Sequence, residues 1–190
     1  MNYNPNIHHR KSIRLKGYDY GKAGLYFITI CIQNRMCLFG EIMGDKMILN
    51  DAGKMIAKWY YELENKFSDI RCHEMITMPN HFHCIVENVE AVGADLRVCH
   101  DDTIVDNISG EHNISGEHTG SPLHRVVQWF KTMTTNEYIR GVKTLGWQTF
   151  DGKLWQRNYW EHIIRNQKDY QSISEYIINN PQKWDDDKLK

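Results

Sequence analysis

The 190-residue chain lacks the features that mark membrane-spanning, secreted and disordered proteins. No apolar run reaches the roughly 18 residues needed to span a bilayer, and the polar N-terminus shows no signal-peptide stretch. Its five cysteines form no C-x-x-C pair, so neither a disulfide framework nor a cysteine zinc site is indicated. With 41% hydrophobic residues and a net charge of −1, it is neither disordered nor uniformly basic. We expect one soluble, cytoplasmic domain with reduced thiols.

Charge is distributed unevenly along the chain. Residues 1–24 carry +4, residues 25–120 carry −8 and residues 121–184 carry +4. Most of the acidity lies in 87–120, where the hexapeptide NISGEH occurs twice in succession. A polar, acidic, glycine-containing stretch has little apolar surface to bury, so we predict a flexible insertion at about 89–120 within a single domain of 190 residues. Any basic surface must therefore be local.

Hydrophobic periodicity predicts an α+β fold in which helices pack on an antiparallel sheet. Asn50 and Asn166 are predicted to cap two of the helices, and Gly44-Asp45 to form a hairpin turn. Pro181 is predicted to stop the last helix. The predicted strands are 25–32, 38–43, 46–49, 71–77, 81–87 and 159–164, and the predicted helices run from 51 to 66, from Ser121-Pro122 to about 140 and from 167 to about 179.

The sharpest local feature is the His-x-His pair formed by His81 and His83. Residues two apart on a strand point to the same face, so these imidazoles project together while Phe82 and Cys84 point to the other face. Such a pair can hold a divalent ion if each second ring nitrogen finds an acceptor. Surface or hydrogen-bonded histidines produce the same pattern, and the pair alone leaves both interpretations open.

The last predicted helix offers a second set of polar residues. Tyr176 and Asn180 are four residues apart on one face, whereas Tyr170, Ile173 and Ile177 form an adjacent apolar face. A tyrosine at the core edge and an asparagine ending a helix before proline would look the same. Taken alone, these residues therefore leave their roles open.

Together, these segments closely resemble the HUH single-tyrosine transposases, and more narrowly the REP-associated tyrosine transposases. The resemblance lies in three ordered motifs, 78–86 (MPNHFHCIV), 155–166 (WQRNYWEHIIRN) and 175–181 (EYIINNP). It extends to 10–20 (RKSIRLKGYDY), and so covers nearly everything outside the acidic insertion.

The resemblance implies a ferredoxin-like sheet, with the histidine pair on a central strand and Tyr176 as the nucleophile on the final helix. It implies cleavage and rejoining of single-stranded DNA at hairpin-forming palindromes, beside short single-stranded guide sequences, through a 5′-phosphotyrosine. It further implies Mg²⁺ or Mn²⁺ bound by His81, His83 and Asn180. Our candidates for DNA contact are basic residues, four of which lie near the aromatic Tyr18 and Tyr20. They are Arg10, Lys11, Arg14, Lys16, Arg35, Arg157 and Arg165.

Several alternatives remain open at this stage. The chain could be a catalytically silent hairpin-binding protein, or a metal-dependent phosphohydrolase that uses activated water rather than Tyr176. Related enzymes include monomers and homodimers, so neither state is predicted over the other. Because acidic charge repels DNA, we expect the 89–120 insertion to lie away from the Tyr176 face.

Overall fold

The computed structural model describes residues 22–89 and 122–190. Its elements in chain order are β1 (Gly24–Cys31), β2 (Gly40–Met43), β3 (Lys46–Leu49), α1 (Asp51–Lys66), β4 (Ile70–Thr77), β5 (His81–Asn88), α2 (Pro122–Leu145), β6 (Trp160–Ile164) and α3 (Gln167–Ile178), with 3₁₀ helices at Gln33–Arg35 and Asn180–Asp186. Within these ranges, four strands form an antiparallel sheet in the order β4-β5-β1-β6, and β2 pairs with β3 as a separate hairpin.

This strand order produces the ferredoxin-like arrangement that the resemblance implied. Helix α1 connects β1 to β4 and α2 connects β5 to β6, while β5 lies between β4 and β1. The two central strands, β1 and β5, pair along their whole length, with Cys31 opposite His81 and Thr29 opposite His83. The histidine pair therefore lies on a central strand.

The main core lies between one face of the sheet and the helices α1 and α2. Alternate residues of β1 and β5, including Tyr26, Ile28 and Phe82, are buried there. Helix α1 contributes residues at helical spacing, among them Ile56 and Tyr60, which are fully buried. The prediction that Phe82 and its alternate neighbours point into the core is confirmed.

Helix α3 packs on the opposite face of the sheet, over a smaller apolar cluster. Ile85, Ile164 and Ile177 form its buried centre, and Tyr170 and Ile173 pack against it. Tyr170, Ile173 and Ile177 are the α3 residues that the sequence pattern placed on the apolar face. Because they hold α3 down, the neighbouring face of the helix stays free for polar residues.

Local signals predicted several boundaries correctly. Gly44 and Asp45 form the hairpin turn, both with positive φ (53° and 61°), as a two-residue hairpin requires. The Asn50 side chain accepts a hydrogen bond from the Gly53 amide at 2.9 Å, and Asn166 accepts one from Asp169 at 2.9 Å. Both predicted helix caps are confirmed.

Helix α2 runs to Leu145, about five residues beyond its predicted end. Gly141 does not end the helix; it lies buried inside it, where a Cβ would overlap the Trp147 ring. The helix ends instead at Gly146, which adopts φ +70°. Gly141 is therefore explained by its close packing against Trp147, whereas Gly146 has the positive φ that ends the helix.

Some sequence predictions lie outside the described residues. These include most of the proposed 89–120 insertion, the N-terminal basic group and Ser121 as a helix cap. Cys31, Cys37, Cys72 and Cys84 are free thiols, in agreement with the expectation of reduced cysteines. None of the helices in the described parts of the chain combines the length and apolarity needed to cross a bilayer.

Candidate metal and tyrosine site

His81 and His83 lie side by side on β5, on the sheet face opposite the main core. Both are buried, and their ring centroids are 4.5 Å apart. Thr29, directly across on β1, contacts His83, and Phe27 stacks on the His83 ring with a centroid distance of 5.4 Å. Neighbouring strands thus fix the positions of both imidazoles.

Each histidine has a hydrogen-bond partner on its Nδ1 atom. His81 Nδ1 lies 2.7 Å from the Asn80 side-chain oxygen, and His83 Nδ1 lies 2.8 Å from Thr29 Oγ1. The Asn80 amide in turn donates to the Leu189 carbonyl at 2.8 Å. With Nδ1 protonated, the Nε2 atom of each ring keeps its lone pair. Nε2 is therefore the atom available to a metal ion.

Burial keeps both imidazoles neutral. It lowers the pKa of His81 to about 4, against the opposing effect of the nearby Asp187 carboxylate. It also lowers the pKa of His83 well below its ordinary value, and the neighbouring His81 adds to this effect. Neutral rings are the form that ligates metals, so the pair is prepared for an ion at physiological pH.

Helix α3 carries Tyr176 to the same face. Its hydroxyl is 3.4 Å from His83 Nε2, and its ring packs edge-on against Phe27 at 6.0 Å. The residue as a whole is 37% exposed. Burial and the Asp187 carboxylate raise the pKa of Tyr176, while a side-chain hydrogen bond with Asn180 opposes that rise.

Asn180 lies beside Tyr176, but not on the same helix. Helix α3 ends at Ile178, and Asn180 begins the 3₁₀ helix that contains Pro181. The expectation that Tyr176 and Asn180 share one face of an α-helix is therefore wrong, because the backbone tightens before the proline. Asn180 is nonetheless buried, and its side-chain oxygen has no hydrogen-bond partner.

Asp187 is a site residue that the sequence analysis missed. Its carboxylate groups with the two histidines, with the potential ligand atoms all within 4.8 Å of one another. Oδ2 of Asp187 lies 3.6 Å from His81 Nε2. In the sequence, Asp187 is the last of three consecutive aspartates near the C-terminus, a pattern typical of a solvated end, and nothing local marks it as buried.

Contacts from the rest of the molecule hold the C-terminal segment over the histidines. The Trp184 ring stacks on His81 with a centroid distance of 6.1 Å. Arg35 donates to the carbonyl oxygens of Lys188 and Lys190, at 2.9 and 3.2 Å. Together with the Asn80 bond to Leu189, these contacts bring Asp187 to the site across more than 100 residues of sequence.

These donors fit a metal ion. His81 Nε2, Asn180 Oδ1 and Asp187 Oδ2 are buried and have no hydrogen-bond partner, which costs free energy unless something else satisfies them. The 3.6 Å gap between His81 and Asp187 is too long for a hydrogen bond but suits two ligands of one ion. The potential ligand atoms are imidazole nitrogens together with amide and carboxylate oxygens, and no thiol is part of the group.

The predicted DNA-binding residues lie in different places. Arg35 is near the site, but its guanidinium holds the C-terminal segment. Arg157 is exposed and lines a cleft beside α2. Arg165 is exposed just after β6. The other four candidates, Arg10, Lys11, Arg14 and Lys16, lie outside the described residues.

Trp160 is a second residue for which the sequence analysis proposed no role. It begins β6 directly opposite Thr29, and residues paired across antiparallel strands point to the same face. Trp160 therefore lies on the face that carries His83, yet it is 59% exposed. An exposed tryptophan at this position offers a flat aromatic surface on the face that carries the histidine pair.

Comparisons with known proteins find relatives in sequence and in structure. No protein-family model matches the chain. An uncharacterized protein of Haemophilus influenzae is 38% identical over 192 residues, covering 98% of this chain and 96% of its own length. A candidate REP-associated tyrosine transposase of the same organism is 23% identical over 168 residues, covering 87% of this chain and 74% of its own length.

A solved structure has a similar fold. A solved REP-associated tyrosine transposase, bound to a REP hairpin, superimposes with a TM-score of 0.56 at 20% identity, over 90% of this chain and 73% of that one. The chain is thus similar in sequence and in fold to REP-associated tyrosine transposases. The family resemblance read from the three sequence motifs is thereby confirmed.

Proposed function

We propose that this transposase-family protein binds DNA hairpins, and cleaves and rejoins adjacent single-stranded DNA with Tyr176 as the nucleophile. The observation that carries the proposal is the position of the Tyr176 hydroxyl. It lies 3.4 Å from His83 Nε2, on a partly exposed residue and near buried nitrogen and oxygen atoms that have no hydrogen-bond partner. The structural relative bound to a REP hairpin supports a hairpin as the DNA partner.

The proposed chemistry is a transesterification. The Tyr176 oxygen attacks a phosphodiester, a bond forms between that oxygen and phosphorus, and the bond from phosphorus to the 3′-oxygen breaks. The products are a 5′-phosphotyrosine and a free 3′-hydroxyl, and the tyrosine proton is balanced by the proton gained at the 3′-oxygen. A later attack by a 3′-hydroxyl reverses the step and releases Tyr176, so the phosphodiester is conserved.

His81, His83 and Asn180, joined by Asp187, would hold the divalent ion. When bound, Mg²⁺ or Mn²⁺ would orient the phosphate and offset its charge. The chain's own residues prepare for this, since Asn80 and Thr29 fix the ring orientations and burial keeps both histidines neutral. The sequence predicted a ligand set of neutral side chains only, and Asp187 adds a negative charge to it.

The raised pKa of Tyr176 makes its hydroxyl harder to deprotonate. Burial and the Asp187 carboxylate both favour the protonated phenol, so the hydroxyl is not a strong nucleophile in the metal-free protein. A cation at the His81–Asp187 position would offset the Asp187 charge that contributes to the rise. We therefore expect the metal to be needed for the attack by Tyr176, and not only for folding.

The decisive experiment uses labelled single-stranded DNA from palindromes that flank the gene. Wild-type protein and Tyr176→Phe are incubated with the DNA in Mn²⁺, in Mg²⁺ or in chelator, and the products are resolved on a denaturing gel. The matched control is Tyr61→Phe, which changes an exposed tyrosine on α1. We expect a covalent protein–DNA band from wild type and Tyr61→Phe with metal, and none from Tyr176→Phe.

Other outcomes would contradict parts of the proposal. Cleavage by Tyr176→Phe would indicate a hydrolase that uses activated water. DNA that is bound but left uncut by wild type, across several flanking sequences and both metals, would indicate a binding protein without cleavage activity. Covalent complex formed in chelator would remove the metal from the mechanism.

A further inference from the structure

Four polar side chains form a cluster near the β4 edge of the sheet, on the face that α3 covers. His73 Nε2 lies 2.8 Å from Glu87 Oε2, and the Tyr170 hydroxyl lies 2.8 and 3.1 Å from the two carboxylate oxygens of Glu74. The same hydroxyl is 3.4 Å from His73 Nδ1, and the two rings pack edge-on at 5.9 Å. All four side chains are half-buried, and the proposed chemistry uses none of them.

The strand side of this cluster is tied to the main core. His73 and Glu74 lie in β4 at the point where its register against β5 shifts, an irregularity that re-aims side chains. From the core side, the His73 amide donates to the Tyr60 hydroxyl at 3.0 Å, and that hydroxyl donates to the Ile85 carbonyl at 2.6 Å. Tyr60 is fully buried, so Glu74 belongs to a firmly held part of the sheet.

The helix side of the cluster is the first turn of α3, which also carries Tyr176. Tyr170 precedes Tyr176 by six residues, about 9 Å along the helix axis. Between them, the isoleucines of α3 pack on the small apolar cluster. The helix therefore contacts the sheet in three places, which are the Glu74 bond near its start, the isoleucines, and the Tyr176 hydroxyl beside His83 near its end.

The apolar contact alone does not fix α3 in one position. Hydrophobic attraction is non-directional, whereas a hydrogen bond depends on distance and angle. A side-chain tip about 5–6 Å from a helix axis moves about 1 Å when the helix turns by about 10°. A misplacement of about 1 Å can slow a reaction about 100-fold. The Tyr176 hydroxyl is therefore sensitive to how the start of α3 is held.

The bond between Tyr170 and Glu74 is of the strong kind. Burial raises the pKa of Tyr170, and the hydrogen bond to the Glu74 carboxylate raises it further, so the hydroxyl keeps its proton and donates it. Hydrogen bonds to an ionised acceptor are roughly twice as strong as those between neutral groups. A phenylalanine at this position would keep the ring contacts and lose only the bond.

We propose that Tyr170 is a positioning residue for Tyr176, and that its hydrogen bond to Glu74 sets the placement of α3 and with it the distance between the Tyr176 hydroxyl and His83. The proposal rests on the proposed function for the reaction that this placement serves. Tyr170 acts through the helix, because its hydroxyl contacts β4 whereas the nucleophile lies beside β5.

Three variants separate the hydrogen bond from the fold. Tyr170→Phe removes the donor and keeps the ring, Glu74→Ala removes the acceptor, and Glu74→Gln keeps an acceptor oxygen in nearly the same shape. Tyr61→Phe, at an exposed tyrosine on α1, is the matched control. Urea unfolding establishes that each variant is folded, and Glu74→Ala carries the test if Tyr170→Phe does not fold.

The first measurement is the single-turnover rate of covalent complex formation with DNA from the flanking palindromes and Mn²⁺, together with the Kd for the hairpin. We expect Tyr170→Phe and Glu74→Ala to lower the rate about tenfold, the size of one charge-assisted hydrogen bond, and to leave the Kd unchanged. Glu74→Gln should retain most of the rate. The double variant should be no slower than either single variant, because both changes break the same bond.

The second measurement reports the placement of Tyr176 without DNA or metal. The ten tyrosines are labelled as 3-fluorotyrosine, and the fluorine resonance of Tyr176 is identified by its loss in Tyr176→Phe. Its ring contacts Phe27 and His83, so a change in its placement shifts the resonance. Both variants that break the bond should shift it and leave the resonances of the core residues Tyr26 and Tyr138 unchanged. Loss of stability alone does not shift a resonance of a protein that stays folded.

An unshifted Tyr176 resonance, or a wild-type rate in Tyr170→Phe, would overturn the positioning role. A loss in Glu74→Gln equal to that in Glu74→Ala would also overturn it, because the charge of Glu74 and not the hydrogen bond would then matter. Failure of the proposed function is distinguishable, since wild type would then form no covalent complex. In that case the fluorine shift alone decides whether Tyr170 sets the placement of Tyr176.

Discussion

Acid should destabilise the metal-free protein through His81, because the folded state resists protonation of this residue. Burial lowers the pKa of His81 from its ordinary value of 6.5 to about 4. Between these two values the unfolded chain binds a proton that the folded chain does not. The free energy of unfolding therefore falls as the pH falls through this window, and is flat above it.

The size of the effect follows from the two pKa values. Each unit of difference is worth about 1.4 kcal/mol, so lowering the pH from about 7 to about 5 should remove about 2 kcal/mol of stability through His81. His83 acts in the same direction, since its pKa is also lowered. A loss of this size is a substantial part of the stability of a typical domain, about 5–15 kcal/mol.

The measurement is urea unfolding followed by circular dichroism, in chelator, at about pH 7 and about pH 5. His81→Gln cannot bind the proton in either state, so it should lose about 2 kcal/mol less than wild type over the same interval. His162→Gln, which changes an exposed histidine on β6, is the control and should keep the wild-type difference.

Equal losses in wild type and His81→Gln would refute the reasoning. They would show that His81 takes up a proton in the folded protein as readily as in the unfolded chain, and so that it is not held neutral for a metal. His81 would then not be kept neutral by burial, even with the geometry of the pair intact.

Three further predictions concern other parts of the molecule. Asp187→Ala should weaken Mn²⁺ binding tenfold or more by isothermal titration, whereas Asp186→Ala, at an exposed neighbour, should not. Trp160→Ala should weaken binding of single-stranded DNA by about 1–3 kcal/mol in an anisotropy assay, while Trp160→Phe should retain most of the affinity; equal losses would argue against stacking. Tyr60→Phe should lower the free energy of urea unfolding by about 1–3 kcal/mol, because it leaves the buried Ile85 carbonyl without its 2.6 Å hydrogen bond; an unchanged midpoint would contradict this.

The proposed metal site combines three separate parts of the chain. A central strand supplies the histidines, the turn after α3 supplies Asn180, and the C-terminal segment supplies Asp187. The contacts that hold the last part in place come from Asn80 and Arg35, on turns at the same end of the sheet. Loss of those contacts is therefore expected to affect metal affinity although neither residue is a proposed ligand.

Features that depend on local periodicity and short-range hydrogen bonds could be predicted from the residues alone. Alternation along β5 placed His81 and His83 on one face because side chains on a strand alternate. Asn50 and Asn166 marked helix starts because an asparagine oxygen satisfies amides that the helix leaves unpaired. The motif resemblance supplied the family and the role proposed for Tyr176, which spacing alone left open.

The tertiary structure decided what depends on residues distant in sequence. Asp187 reads as part of a solvated acidic end until Trp184 and the Arg35 contacts place it against His81, and no local pattern encodes that approach. The course of α2 beyond its predicted end also depends on packing, because Gly141 makes room for the Trp147 ring and that contact is invisible along the chain. The cleft beside α2 is likewise a product of packing, because α2 and the segment at 152–159 each contribute one wall.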